Sequence, residues 1–243
     1  MHMLHGGNSS HFLIFTVAIS IFGLLTLPLL ALYGPVHQEP VPWRKPVIGA
    51  TFTIICLVGI AATLFPKKCS EAFHVQKLKQ SAFSDFERLS SQQSQTHVAG
   101  HHPNCTRFSA HVLQVGHRTI CAACAGLFIG AVAAIAAASF YFFGDWVIAP
   151  TNLLAMLVGQ MGLVSGLVQF KFRGCVRLVA NAFFVFGALL CLVAVDALAG
   201  SMLVDIFAVA LIIFLILTRI MISRWDHWRI CYECGFSCET KKR

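Results

Sequence analysis

Two Cys-x-x-Cys motifs are the clearest candidates for chemistry in this sequence: Cys121 with Cys124, and Cys231 with Cys234. This spacing lets two thiolates of one turn converge on a tetrahedral ion, at metal–sulfur distances of about 2.3 Å. Further cysteines and histidines flank both motifs, which makes the pattern more specific than a single pair. The residues predicted to bind metal are His101, His102, Cys105, Cys121, Cys124, His227, Cys231, Cys234 and Cys238. His111 and His117 are predicted to be hydrogen-bonding partners of those ligands.

Zinc is the metal that this donor set favours, because mixed sulfur and nitrogen tetrahedra suit it, and iron is the second candidate. The candidate ligands can be divided in two ways that give each ion four of them. In the first, each cluster closes on its own ion: His101 or His102 with Cys105, Cys121 and Cys124, and His227 with Cys231, Cys234 and Cys238. In the second, the two Cys-x-x-Cys turns share one ion. We prefer the local first site, because the entropic cost of closing a loop grows with its length.

A membrane thiol-disulfide oxidoreductase is the alternative chemistry, in which Cys121 and Cys124 cycle between dithiol and disulfide. No catalytic residue is predicted, since the sequence lacks the His-Glu-x-x-His, Gly-x-Ser-x-Gly and Gly-x-x-x-x-Gly-Lys motifs. We therefore expect a structural or accessory subunit of a membrane assembly. A small-solute or ion transporter is a further alternative, with Gln160, Gln169 and Asn181 lining a hydrated cavity.

The elements that must position these residues are membrane helices. The chain of 243 residues is 57% hydrophobic and 12% charged, with a mean hydropathy of +0.75, whereas soluble proteins are about 25% charged. Roughly 20 apolar residues cross about 30 Å of hydrocarbon as a helix, whose backbone groups bond to one another. We predict an all-α bundle of six transmembrane helices at 12–33, 47–65, 121–143, 152–170, 178–197 and 203–222.

Charge predicts the orientation of this bundle. With six spans, the N-terminus, segments 66–120 and 171–177 and the tail share one side. Together with Arg219 near the end of the sixth helix, that side holds 16 of the 18 Lys and Arg residues. Only Arg44 and Lys45 lie on the other side. The positive-inside rule places both termini in the cytoplasm and the chain in the cell's inner, cytoplasmic membrane. The net charge of +8 reflects this orientation and an attraction to anionic lipid, so no nucleic-acid partner is expected.

The cysteines are distributed in agreement with that orientation. Eight of the ten fall on the predicted cytoplasmic side, while Cys56 and Cys191 lie inside helices. Ten of the eleven histidines are on the same side. Because disulfides persist in oxidising compartments, this placement indicates reduced thiols that bind metal or do redox work.

The chain divides into four segments: 1–65 with two helices, a cytoplasmic loop at 66–120, 121–222 with four helices, and a Cys-rich cytoplasmic tail at 223–243. Within the loop, apolar residues recur at helical spacing between 72 and 89, with charged residues among them. This pattern predicts an amphipathic helix lying on the cytoplasmic leaflet.

Small residues predict how the helices pack. Gly126, Gly130, Ala134 and Ala138 recur at every fourth position of the third helix, which lets a neighbouring backbone approach closely. We expect this stripe to pack within the chain, and a homodimer or another membrane subunit is the alternative partner. The lipid bilayer is the remaining expected partner.

The run HHPNCTRFSAHVLQVGHRTICAACAGLFIGA, residues 101–131, resembles a group of archaeal and bacterial integral membrane proteins of unassigned activity. In that group a His and Cys segment precedes a Cys-x-x-Cys-x-Gly turn that opens a transmembrane helix. The resemblance covers 31 of the 243 residues. It implies a metal or thiol site at Cys105, Cys121 and Cys124, and no particular reaction.

Overall fold

The computed structural model describes residues 5–34, 42–64, 98–99, 111–115, 118–144 and 152–233. Most of these residues belong to six α-helices. They are α1 His5–Tyr33, α2 Arg44–Leu64, α3 Ala122–Phe142, α4 Asn152–Leu167, α5 Gly174–Ala199 and α6 Met202–Glu233. The predicted interfacial helix at 72–89 lies outside the described residues.

Five of these helices are long and apolar enough to cross a membrane: α1, α2, α3, α5 and α6. Helix α4 has only 16 residues, a length of about 24 Å. The helical architecture predicted from the apolar runs is confirmed, and its length and composition are those of a multi-pass membrane protein. Helix α6 continues to Glu233, beyond the predicted end at 222. An apolar run marks only the hydrocarbon layer, whereas a helix can extend past it into the headgroups and water.

A small three-stranded sheet precedes α3 and was not predicted. Its strands are β1 Val98–Ala99, β2 Val112–Val115 and β3 Arg118–Cys121, in the order β1-β3-β2. Strand β1 pairs with β3 in parallel and β2 pairs with β3 antiparallel. Two residues including a glycine separate β2 from β3 in the sequence, which is a typical hairpin spacing. The sheet ends where α3 begins, so it fixes the position of the first Cys-x-x-Cys.

Helix α5 forms the centre of the bundle and contacts α1, α3, α4 and α6. Its residues Cys191, Leu192, Ala194 and Val195 are fully buried. It ends at Gly200, whose positive φ of 58° closes the helix in a left-handed conformation. Most of the large apolar side chains that are exposed belong to the helices, where lipid would cover them.

Glycines permit the contacts of α5 with α3 and α4. A Cβ on Gly130 of α3 would lie 2.6 Å from the Ala182 carbonyl oxygen of α5. A Cβ on Gly187 of α5 would lie 2.6 Å from the Gly159 carbonyl oxygen of α4. Gly126, Gly130, Ala134 and Ala138 are all buried. The predicted packing of this stripe within the chain is therefore confirmed.

Replacing Gly187 by alanine should destabilise the bundle by about 1–3 kcal/mol, because the new methyl group meets backbone that cannot rotate away. Denaturant unfolding in detergent micelles measures the loss. Gly59→Ala is the matched control, since a Cβ there meets nothing within 4 Å. Equal stability of the two variants would contradict the observed contact between α4 and α5.

Candidate functional site

The first Cys-x-x-Cys lies at the junction of β3 and α3. Cys121 is the last residue of β3 and the N-cap of α3, with extended backbone angles of −67° and 118°. Cys124 lies in the first turn of the helix, and its thiol interacts directly with that of Cys121. Cys121 is buried and Cys124 is half-buried.

His111 and His227 come together at the same end of the bundle. Val112 pairs with Cys121 across the hairpin, so the adjacent His111 lies beside the start of α3, where it is buried. Its ring centroid is 6.0 Å from that of His227 on α6, with an interplanar angle of 35°. Members of the two clusters that are far apart in sequence therefore meet in space.

Two buried arginines accompany these residues, and the sequence indicated both only as charges on the predicted cytoplasmic side. Arg177 of α5 is 1% exposed and Arg219 of α6 is 7% exposed. Arg219 donates one hydrogen bond to Gln169 Oε1 at 3.1 Å and a second to Asn181 Oδ1. Its guanidinium also lies 5.5 Å from the centroid of the Phe184 ring. The sequence did contain a signal for Arg219. It falls inside a predicted membrane span, and an ionisable residue in such a span is a candidate functional residue.

Both guanidinium groups are close enough to the thiols of Cys121 and Cys124 to interact with them electrostatically. We call Cys121, Cys124, Arg177 and Arg219 the thiol–arginine cluster. Beside it lies the buried carboxylate of Asp226, which acts on Arg177 and is 3.5 Å from Arg229. This arrangement can hold an anionic group at the start of α3.

The structure describes the positions of some of the predicted ligands but not of the others. Cys121, Cys124 and His227 lie at one end of the bundle, and so does the predicted partner His111. Cys231 lies one helical turn after His227 in α6. The remaining predicted residues lie outside the described residues: His101, His102, Cys105, His117, Cys234 and Cys238. Within the described part of the chain, no group of three or more His, Cys, Asp or Glu side chains converges as a metal site, so zinc stays a prediction.

The opposite end of the bundle carries a network of ion pairs, which we call the carboxylate network: Arg44, Tyr141, Asp196 and Asp205. Arg44 lies 2.6 Å from Asp196 Oδ1 and 2.9 Å from Asp205 Oδ2. The Tyr141 hydroxyl donates to Asp196 Oδ2 at 2.8 Å. The network joins α2, α3, α5 and α6. Its single guanidinium balances one of the two carboxylates and leaves one negative charge. Lys45, half-exposed and 3.7 Å from Asp196, lies nearest to balance that charge.

The side-chain amides of Gln160, Gln169 and Asn181 hydrogen-bond to other groups of the protein. Gln160 Nε2 donates to the Leu24 carbonyl oxygen at 2.6 Å and joins α4 to α1. Gln169 and Asn181 accept from Arg219, and Asn181 Nδ2 donates to the Arg177 carbonyl oxygen at 2.6 Å. The Gln160 bond and the two bonds to Arg219 connect different helical segments, which is the common use of buried amides in membrane bundles, whereas the bond from Asn181 to Arg177 lies within α5.

Replacing Arg44 by glutamine should destabilise the protein by about 3 kcal/mol or more, because it leaves two fully buried carboxylates without their counter-charge. Lys45→Gln is the matched control, since an exposed pair contributes at most about 1 kcal/mol. The shift in unfolding midpoint in detergent measures both. Equal losses for the two variants would show that the carboxylate network does not stabilise the bundle.

No known protein family matches the chain, and neither a curated protein nor a solved structure shows significant similarity to it. The resemblance of residues 101–131 to archaeal and bacterial membrane proteins therefore stays a prediction. What the protein does must be inferred from its own geometry, and that geometry is a helical bundle with a pair of thiols, two buried arginines and two neighbouring histidines at one end.

Proposed function

We propose that the chain is a multi-pass membrane protein in which a zinc site of cysteines and histidines attaches the loop 66–120 and the tail 223–243 to the ends of the helices. Its role is structural, as an accessory subunit of a membrane assembly. The observation that carries the proposal is the pair of interacting thiols of Cys121 and Cys124, with the rings of His111 and His227 6.0 Å apart at the same end of the bundle. Two thiols in one turn provide half of a tetrahedral site, and both flanking segments that hold the other candidate ligands start there.

One shared ion fits this geometry better than two local ions. The preference for a local site rested on the entropy of closing a long loop. The rings of His111 and His227 lie 6.0 Å apart, so one residue near each Cys-x-x-Cys is already close to the other in the folded chain. Helix α6 then carries Cys231 a further turn along from His227. Folding of the bundle already closes the long loop between the two motifs, so the binding of one shared ion costs little additional chain entropy.

The six-span topology with both termini in the cytoplasm is part of the proposal. Helix α4 spans about 24 Å, and the 3-10 turn Gln169–Lys171 that follows adds about 6 Å, together close to the hydrocarbon thickness of about 30 Å. Arg177, Arg219, Arg224 and Arg229 lie towards the end that holds the thiol–arginine cluster. The positive-inside rule then places that end at the cytoplasm.

A thiol-disulfide oxidoreductase is the second candidate, because the thiols of Cys121 and Cys124 are already in contact. An attacking thiol must be reached by its partner protein. Cys121 is 2% exposed, so the half-buried Cys124 would have to attack. The two histidines at the same end of the bundle are natural zinc ligands. The zinc site is therefore the better account of the whole arrangement.

The purified full chain, prepared without chelators, should contain one zinc ion per molecule. Cys121→Ser and Cys231→Ser should each remove that ion, because both thiols bind it. Elemental analysis of the protein by mass spectrometry measures the content. Cys175→Ser is the matched control, since this exposed thiol lies at the start of α5 and is not a predicted ligand; it should retain the full zinc content.

The stoichiometry separates the hypotheses. Two ions per chain, of which each variant loses one, would support separate sites in place of the shared one. A protein without zinc whose thiols are intact would refute the proposed function. If Cys121 and Cys124 instead form a reversible disulfide and Cys124→Ser traps a mixed disulfide, the oxidoreductase would be the correct function.

The topology has its own test in a bacterial host. A green fluorescent protein fused after residue 243 should fluoresce, because it folds in the cytoplasm, and alkaline phosphatase fused there should be inactive. Phosphatase inserted between 144 and 152, in the connection of α3 to α4, should be active because that connection faces outwards. The reverse pattern would contradict the orientation inferred from the charges.

A further inference from the structure

Pro28 lies inside the long helix α1 and removes one of its backbone hydrogen bonds. In an α-helix the N–H of each residue donates to the carbonyl oxygen four residues earlier. Proline has no N–H, so the Leu24 carbonyl oxygen has no partner within α1. Leu24 is buried in the bundle. Where lipid replaces water, a carbonyl oxygen of this kind needs a donor from the protein itself.

Gln160 of α4 supplies that donor. Its Nε2 donates to the Leu24 carbonyl oxygen at 2.6 Å. The donor therefore comes from another helix and bonds to the carbonyl oxygen that Pro28 leaves free. Neighbouring helices commonly satisfy the backbone around a proline in this way in membrane bundles. The match between two residues so distant in sequence indicates that Pro28 and Gln160 act together.

The part of α1 before Pro28 is anchored to α6 at two points. The Ser20 hydroxyl donates to Thr218 Oγ1 at 3.0 Å, and both side chains are buried. A Cβ on Gly23 would clash with the Leu211 side chain, so the two helices are in close contact there. A polar bond and tight packing therefore fix this half of the helix.

The part of α1 after Pro28 has weaker attachments. In the part of the chain that the structure describes, no hydrogen bond or ion pair joins residues 28–34 to another helix. Ala31 is buried, whereas Leu29 and Tyr33 are exposed. Apolar packing and the bond from Gln160 to the preceding turn are what hold this end of the helix.

We propose that Pro28 is a hinge in α1 and that Gln160 is the latch that keeps it closed. A proline removes a backbone bond and crowds the carbonyl to which it cannot donate, so helices bend at such a residue. With the latch in place, α1 stays joined to α4. Without it, residues 29–33 open away from α4 while the half anchored at Ser20 stays in place. The hinge does not depend on the zinc site.

Hydrogen–deuterium exchange of the full chain in detergent micelles tests the latch. Gln160→Leu removes the donor and should speed amide exchange in residues 29–33 by about 3–20-fold, the effect of losing one hydrogen bond between membrane helices. Amides of residues 12–22 should keep their rates, because their anchors to α6 are untouched. Met161→Leu is the matched control, since it changes an exposed side chain next to Gln160 and should leave both regions unchanged.

Pro28→Ala tests whether the hinge and the latch act as one device. Alanine restores an N–H that can donate to the Leu24 carbonyl oxygen within α1. The single variant should therefore slow amide exchange in residues 29–33. In that background Gln160→Leu should change the rate by less than about 2-fold, because the carbonyl oxygen then has a donor in its own helix.

The same measurements can overturn the inference. If Gln160→Leu speeds exchange equally before and after Pro28, or speeds it no more than Met161→Leu does, Gln160 is not a latch. If Gln160→Leu keeps its full effect in the Pro28→Ala background, the two residues do not act together. If Gln160→Leu does not fold, Pro28→Ala decides alone: slower exchange after residue 28 supports the hinge, and unchanged exchange refutes it.

Discussion

The contact between the first turns of α3 and α5 is the constraint on which the thiol–arginine cluster depends. Gly126 leaves room for the Leu178 carbonyl oxygen and for Asn181. Because Cys124 and Arg177 flank this contact in their own helices, thiol and guanidinium must be neighbours. Little water reaches such a place between helices, so the charges of one helix have to be matched by groups on another.

The two ends of the bundle meet that requirement differently. In the carboxylate network, Arg44 forms ion pairs with two buried carboxylates, and the Tyr141 hydroxyl donates a hydrogen bond to one of them. In the thiol–arginine cluster, amides of Gln169 and Asn181 hold Arg219 but carry no charge. The first arrangement explains how four helices are held together. The second surrounds two thiols, at which we propose a zinc site.

Much of the fold could be predicted from hydropathy, and less of the site. The helices appear where the apolar runs predict them, although α6 extends to Glu233 and a small sheet precedes α3. Cys121 and Cys124 were recognised from their spacing, and their thiols interact. Arg177 and Arg219 were counted only as cytoplasmic charges, because a position near the end of a helix does not reveal which side chains face inwards. Their burial results from neighbours on other helices.

Sequence alone determined the apolar helices, the one-sided distribution of charge and the types of residue that could bind metal, since these are properties of a residue and its nearest neighbours along the chain. Only the tertiary structure decided that the rings of His111 and His227 meet and that two arginines lie beside the thiols. Such contacts depend on which helix faces are in register. That register results from the packing of glycines and side chains on helices distant in sequence, which no local pattern records.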